Sequence, residues 1–140
     1  MKERTQRFGV SMDDTLLKKL DAYIASKGYT NRSEAIRDFV RENLVEEEWK
    51  ADRKQVVGTV TLIYDHAALE LPKKLTDLQH HFHKEIISTT HIHLDEHNCL
   101  EILALKGKGE KVKAIADRLI AAKGVKHGKL VMSTTGKEIV

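Results

Sequence analysis

The sequence predicts an α+β chain in two parts, and three observations carry that reading. The opening segment holds one strand-like alternation followed by two helical stripes. The remainder changes rhythm to strand, helix, strand, strand, helix, strand. Between them, Val45 to Lys54 is a charged run that either extends the second helix or links two domains, residues 1–50 and 51–140.

From Arg7 to Met12 polar and apolar residues alternate, Phe8, Val10 and Met12 facing one way and Arg7, Gly9 and Ser11 the other. This is the period of a half-buried strand. Asp13 and Asp14 open a helix with the stripe Leu16, Leu17, Leu20, Tyr23 and Ile24, and Gly28 stops it. A second helix starts after Asn31, with Glu34 at capping-box spacing and Ala35, Ile36, Phe39, Val40 and Leu44 as its buried face. A unit of about 44 residues is below the size at which a core suffices by itself. Its single strand also lacks a ladder partner, so a second copy of the chain is required to pair with it.

Gln55 to Tyr64 is rich in β-branched residues and reads as a strand. A helix follows from Leu69 to about Lys84, with Leu69, Leu75 and Leu78 as buried candidates and Pro72 tolerable in its first turn. Ile86 to Leu94 and Asn98 to Leu105 are strands joined by the loop Asp95-Glu96-His97. Lys111 to Lys123 is a helix ended by Gly124, and Val125 to Ser133 is the last strand. This β-α-β-β-α-β order is ferredoxin-like, with both helices expected on one face of the sheet.

The chain has 8 histidines, and His80, His81, His83, His91, His93 and His97 crowd the stretch that ends at Cys99. His91 and His93, two apart on a strand, leave the same face. With a three-residue loop, His93 lies opposite Cys99 and His91 opposite Glu101, and opposed residues share a face. Two imidazoles and a thiol in one patch form a metal site short of one ligand, with His80, His81, His83 or His97 to complete it. Glu101 reads as the partner that fixes an imidazole tautomer. The other face, with Ile92, Leu94, Leu100, Ile102 and Ala104, is expected to be the core side. The donors suit a divalent late transition metal; tetrahedral sets favour zinc, planar N/S sets Ni(II) or Cu(II).

Two copies of the first strand would make a ribbon of a width the DNA major groove accepts. Arg7 could grip guanine, Ser11 could bond to several bases, and Gly9 would allow close approach. Asn31, Arg32 and Ser33, at the N-terminus of the second helix, suit a phosphate. Pattern alone serves a plain dimerisation strand equally well. The net charge, +3, is too small to argue for nucleic acid by itself. No apolar stretch is long enough to span a bilayer, and the first residues lack the apolar core of a signal peptide. A lone cysteine, Cys99, fits a reducing cytoplasm.

Arg7-Phe-Gly-Val-Ser-Met-Asp-Asp, Gly28-Tyr-Thr-Asn-Arg-Ser-Glu-Ala-Ile-Arg-Asp38 and His91-Ile-His…Cys99-Leu-Glu together resemble the nickel-responsive transcriptional regulators with a ribbon-helix-helix domain. The similarity runs from about residue 7 to 130 and includes Gly124-Val-Lys-His-Gly128. The resemblance implies a ribbon-helix-helix dimer on an ACT-like, ferredoxin-like domain, assembled as a homotetramer: four C-terminal domains flanked by two DNA-binding dimers. It implies one Ni(II) per subunit, held in a planar site by His91, His93 and Cys99 of one subunit and His80 of a neighbour. It implies a cytoplasmic repressor, not an enzyme, that binds double-stranded operator DNA with a palindrome, and a second cation site at Glu34 and Asp38. The family has Ser or Thr where this chain has Gly9. A metal-dependent hydrolase is disfavoured, because four protein ligands leave no open position for water. The alternative is a ribbon-helix-helix regulator that senses a small organic ligand or another divalent metal.

Overall fold

A computed structural model describes residues 3–51, 54–68 and 70–140. Its elements are α1 (Asp14–Lys27), α2 (Arg32–Lys50), β1 (Gln55–Asp65), α3 (Leu71–His81), β2 (Ile86–His93), β3 (Asn98–Lys108), α4 (Gly109–Ile120) and β4 (Val125–Ser133). Leu69, expected in the third helix, lies outside the described residues, as do Asp52 and Arg53 of the charged run. The chain groups into two compact units, Met1–Val40 and Arg41–Val140, so that α2 contributes to both.

In the first unit the Asp13 carboxylate accepts the Leu16 N–H at 2.8 Å, and Gly28, at φ 78°, closes α1 in the left-handed conformation. Asn31 caps α2 by accepting the Glu34 N–H at 2.9 Å. The expected capping box is half formed, since the Glu34 carboxylate turns to the Thr30 hydroxyl at 2.8 Å. The expected first strand is not a strand here: residues 7–12 join no ladder, and Phe8 and Val10 are exposed. A strand is defined by its neighbour, and one chain supplies none. Ile24 and Ala35 are buried, whereas Leu16, Tyr23, Val40 and Leu44 of the expected apolar faces stay open.

The charged run resolves as the end of α2. It is not a wholly solvated face, because Val45, Glu48 and Trp49 are buried within the second unit. Their spacing is one helical face. The Trp49 indole N–H donates to the Ser133 carbonyl at 2.8 Å. Its ring lies over Gly58, and its backbone over Gly109, where an added Cβ would sit 2.7 Å from the Trp49 carbonyl oxygen.

The second unit is a four-stranded antiparallel sheet in the order β2-β3-β1-β4. That is the ferredoxin-like arrangement. Gln79 of α3 reaches Glu101, and Ile120 of α4 packs on Gly128, so both helices cover the same face. Under them lie Val56, Val60, Leu62, Tyr64, Cys99, Leu103 and Leu105, with Leu71, Leu75, Val112, Ile115 and Leu119 from the helices. The expected core face is thereby corrected. Ile92 and Leu94 are exposed, and Leu100, Ile102 and Ala104 are only half-buried, on the face opposite α3 and α4.

The loop between β2 and β3 is closed by Asp95. Its carboxylate accepts the N–H groups of His97 and Asn98, each at 2.8 Å, and the Asn98 amide at 2.9 Å. These bonds, the Asn98 side chain foremost, hold its pKa down to about 2.

Two expectations follow. Gly109→Ala should cost about 1–3 kcal/mol in urea unfolding, because a rigid carbonyl occupies the space the methyl needs. For Asp95 the folded-state pKa lies below the ordinary value of about 3.9. Its contribution is therefore complete above that value and is lost as pH falls toward 2. Protection of the His97 and Asn98 amides from hydrogen exchange should fall over that window in the wild type. In Asp95→Asn it should be lower at neutral pH and flat across the window.

Candidate metal centre

The β2–β3 register is the one that the alternation predicts: His93 pairs with Cys99 and His91 with Glu101. Cys99 is fully buried, while His91 and His93 stand exposed on the edge strand above it. The His93 Nδ1 lies 3.5 Å from the Cys99 Sγ, and the two imidazole centroids are 4.9 Å apart.

His91 is steered by a residue that the sequence reading missed. The Tyr64 hydroxyl lies 3.1 Å from the His91 Nδ1 and donates to Glu101 at 3.3 Å. Glu101 is itself buried and also accepts from Gln79 at 3.2 Å and Thr89 at 3.3 Å. Glu101 thus reaches the imidazole through the tyrosine rather than directly. Burial, and then the charge of Glu101, push the Tyr64 pKa up, so the phenol keeps its proton and remains a donor. The signal was present: Tyr64 is on the buried face of β1 and pairs with Cys99.

Among the described residues, the donors that converge within 4.8 Å of one another are those of His66, His93 and Cys99. His66 was not singled out from the sequence, because it stands apart from the histidine cluster, in the turn after β1. Its backbone N–H donates to the His97 carbonyl at 3.0 Å, which brings that turn against the hairpin loop. His80, on the exposed last turn of α3, does not join the group within this chain, nor do His81, His83 and His97. Imidazole nitrogens beside a thiol are a donor set that fits a late transition metal.

In the first unit Arg7, Gly9 and Ser11 are exposed. The Arg32 guanidinium makes two 2.8 Å bonds to Asp21, so its side chain is engaged inside the unit. Asn31 uses its side chain as the helix cap, and Ser33 is exposed. Of the two carboxylates proposed as a second cation site, Glu34 accepts the Thr30 hydroxyl and Asp38 accepts the Tyr29 hydroxyl at 2.9 Å.

Residues 57–133 match the family described as the NikR C-terminal nickel-binding domain, and residues 6–47 match the ribbon-helix-helix proteins of the copG family. A protein of Thermococcus kodakarensis is 58% identical over 96% of this chain and 97% of its own. One of Geotalea uraniireducens is 58% identical over the same shares. Both carry names of the nickel-responsive-regulator type. An uncharacterized protein of Thermotoga maritima shares the fold at a TM-score of 0.50 and 19% identity, over 56% of this chain and 98% of that one. With the two domain matches in sequence order and relatives of this identity along nearly the whole length, the chain belongs to the family of nickel-responsive regulators, transcription factors with a ribbon-helix-helix domain and a nickel-binding domain, which are not enzymes.

Proposed function

We propose that this chain represses nickel-uptake genes from the cytoplasm, as a homotetramer that binds a palindromic operator when each subunit holds one Ni(II). Residues 1–50 supply the DNA-binding dimers and residues 51–140 the metal-binding core. The observation that carries the reading is the hairpin register, which sets His91, His93 and Cys99 in one patch of a chain whose other domain is a ribbon-helix-helix. These three residues are the donors of one subunit, and His80 of a neighbouring subunit is the fourth. Its place on an exposed helix end, away from the other three, supports a contribution in trans.

Bound nickel would supply a set of strong bonds that cross a subunit boundary. The protein side of the device is the restraint that His80 then exerts on the arms bearing the ribbon-helix-helix dimers. The uncovered faces support assembly. Phe8 and Val10 lie open on a segment able to pair with its own copy, and Ile92, Leu94 and Val131 lie open on the sheet. Arg7 and Ser11 would read bases from the paired ribbon, while Gly9 permits close approach. Ser33 and the backbone N–H groups of Asn31 and Arg32 would meet phosphate.

Selection of operator sequences from random DNA, with and without Ni(II) at one salt concentration, tests the whole reading; enrichment of a palindrome only with Ni(II) is expected. Arg7→Ala should lose about 1–3 kcal/mol on the selected operator and relax one base pair per half-site. Equal losses on random DNA would make Arg7 a phosphate contact. His80→Ala should remain tetrameric by sedimentation and lose most of the nickel-dependent gain in affinity, a coupling of about 5–150-fold. Full nickel-activated binding by that variant would overturn the cross-subunit role.

A further inference from the structure

We propose that residues 134–140 form a latch that fastens the last turns of α2 to the second unit and opens locally, and that its closure sets how much of the nickel response reaches DNA. The latch rests on contacts within this chain; its effect on operator affinity rests on the function proposed above.

α2 is one continuous helix, yet the chain groups with the first unit up to Val40 and with the second from Arg41. Whatever holds residues 41–50 therefore holds the element by which the ribbon-helix-helix unit is attached. Trp49 packs on Gly58 and Gly109. Beyond β4 the chain turns back over the same stretch. The Ser133 carbonyl accepts the Trp49 indole N–H at 2.8 Å, and the Glu138 carboxylate accepts from the Lys54 ammonium at 2.5 Å. The Val140 carbonyl accepts from the Arg41 guanidinium at 2.8 Å. Between Arg41 and Trp49 the helix advances about 12 Å, so these bonds grip it at separate levels. Ile139 is half-buried against the core, and Gly136, at φ 79°, supplies the turn before it.

Three features make this a latch rather than a permanent seam. The Lys54 and Glu138 side chains are 47% and 61% exposed, and an ion pair so open to water adds little. A cavity of about 260 Å³ lies between helix and tail, lined by Glu48, Lys54, Gln55, Thr135, Lys137 and Glu138, so the tail is not close-packed on α2. Glu48 is 8% exposed, and its Oε2 has no hydrogen-bond partner among the described residues. Lys54, a cation on the same cavity, is taken by Glu138. A buried carboxylate without a donor opposes the docked helix end, and water satisfies it once that end lifts. Trp49 thus pulls the seam shut while Glu48 pushes it open. Segments so balanced are the ones that open locally.

The consequence is mechanical. A restraint imposed at the nickel core is passed on only through a helix whose end is fixed. With the latch open the metal ligands are untouched, but the nickel-dependent gain in operator affinity falls.

Trp49 is the only tryptophan of the chain, so its emission reads the latch directly in the full-length protein. In the metal-free state Lys54→Ala and, separately, Glu138→Ala should shift that emission to the red and raise its quenching by acrylamide. Amide exchange should quicken in residues 45–50 but not in β1 or β3, and the sulfur-to-nickel absorption should match the wild type. Both variants should lose at least about 5-fold of the nickel-dependent gain on the operator. Glu48→Met, of similar length and without the charge, should move emission, quenching and exchange the opposite way, which general destabilisation would not do. Wild-type emission and quenching in both tail-contact variants, or a more exposed Trp49 in Glu48→Met, would overturn the latch. A loosened latch with an unchanged nickel-dependent gain would overturn its part in the response. A wild type whose operator binding ignores nickel would overturn the function proposed above and leave the Trp49 result standing.

Discussion

A one-residue slip in the pairing of β2 with β3 would carry His91 and His93 to the opposite face of the sheet from Cys99. The candidate metal patch would be lost, because side chains alternate strictly along a strand. The register is held at both ends. At the turn, Asp95 gathers the N–H groups of His97 and Asn98 and the Asn98 amide. Along the strand, Leu103 and Leu105 share the face of Cys99 and are buried beneath the helices. Exposing them would cost about 1.5–3 kcal/mol each. The proposed ligands therefore inherit their geometry from a tight turn and a hydrophobic core, not from one another.

Beside this patch lies a buried carboxylate. Glu101 is satisfied by three donors from three elements, Tyr64 of β1, Gln79 of α3 and Thr89 of β2. A buried charge left without partners is costly, so the network constrains where α3 can sit on the sheet. The same tyrosine meets His91. The network thus links the orientation of one imidazole to the packing of the helix whose last turn bears His80. Any shift of α3 has to pass through these bonds.

The chain also leaves surfaces that water covers poorly. In the first unit the open residues Phe8 and Val10 lie on a segment with an unused backbone ladder. In the second, the sheet face away from the helices carries Ile92, Leu94 and Val131. The proposed assembly of several copies would cover both.

Much of this was legible in the residues. Asp13, Gly28 and Asn31 act locally as helix caps and stops, and a cap depends on its own few neighbours. The hairpin register was readable too, because a three-residue loop and a period of two leave one alignment. Tertiary structure decided the rest. β3 is apolar on both faces, with Leu103 and Leu105 on one and Leu100 and Ile102 on the other, so alternation could not say which face the helices cover. The crossover from β1 through α3 to β2 settles that by its handedness, and it places the candidate metal patch on the helix-covered side. Trp49, hidden in a charged run, is buried because the end of α2 lies along Gly58 and Gly109, a contact between residues far apart in the chain. His66 joins His93 and Cys99 for the same reason. Nothing in its neighbourhood along the chain marks it as a ligand; only the pairing of β1 with β3 brings the turn after one strand against the loop before the other.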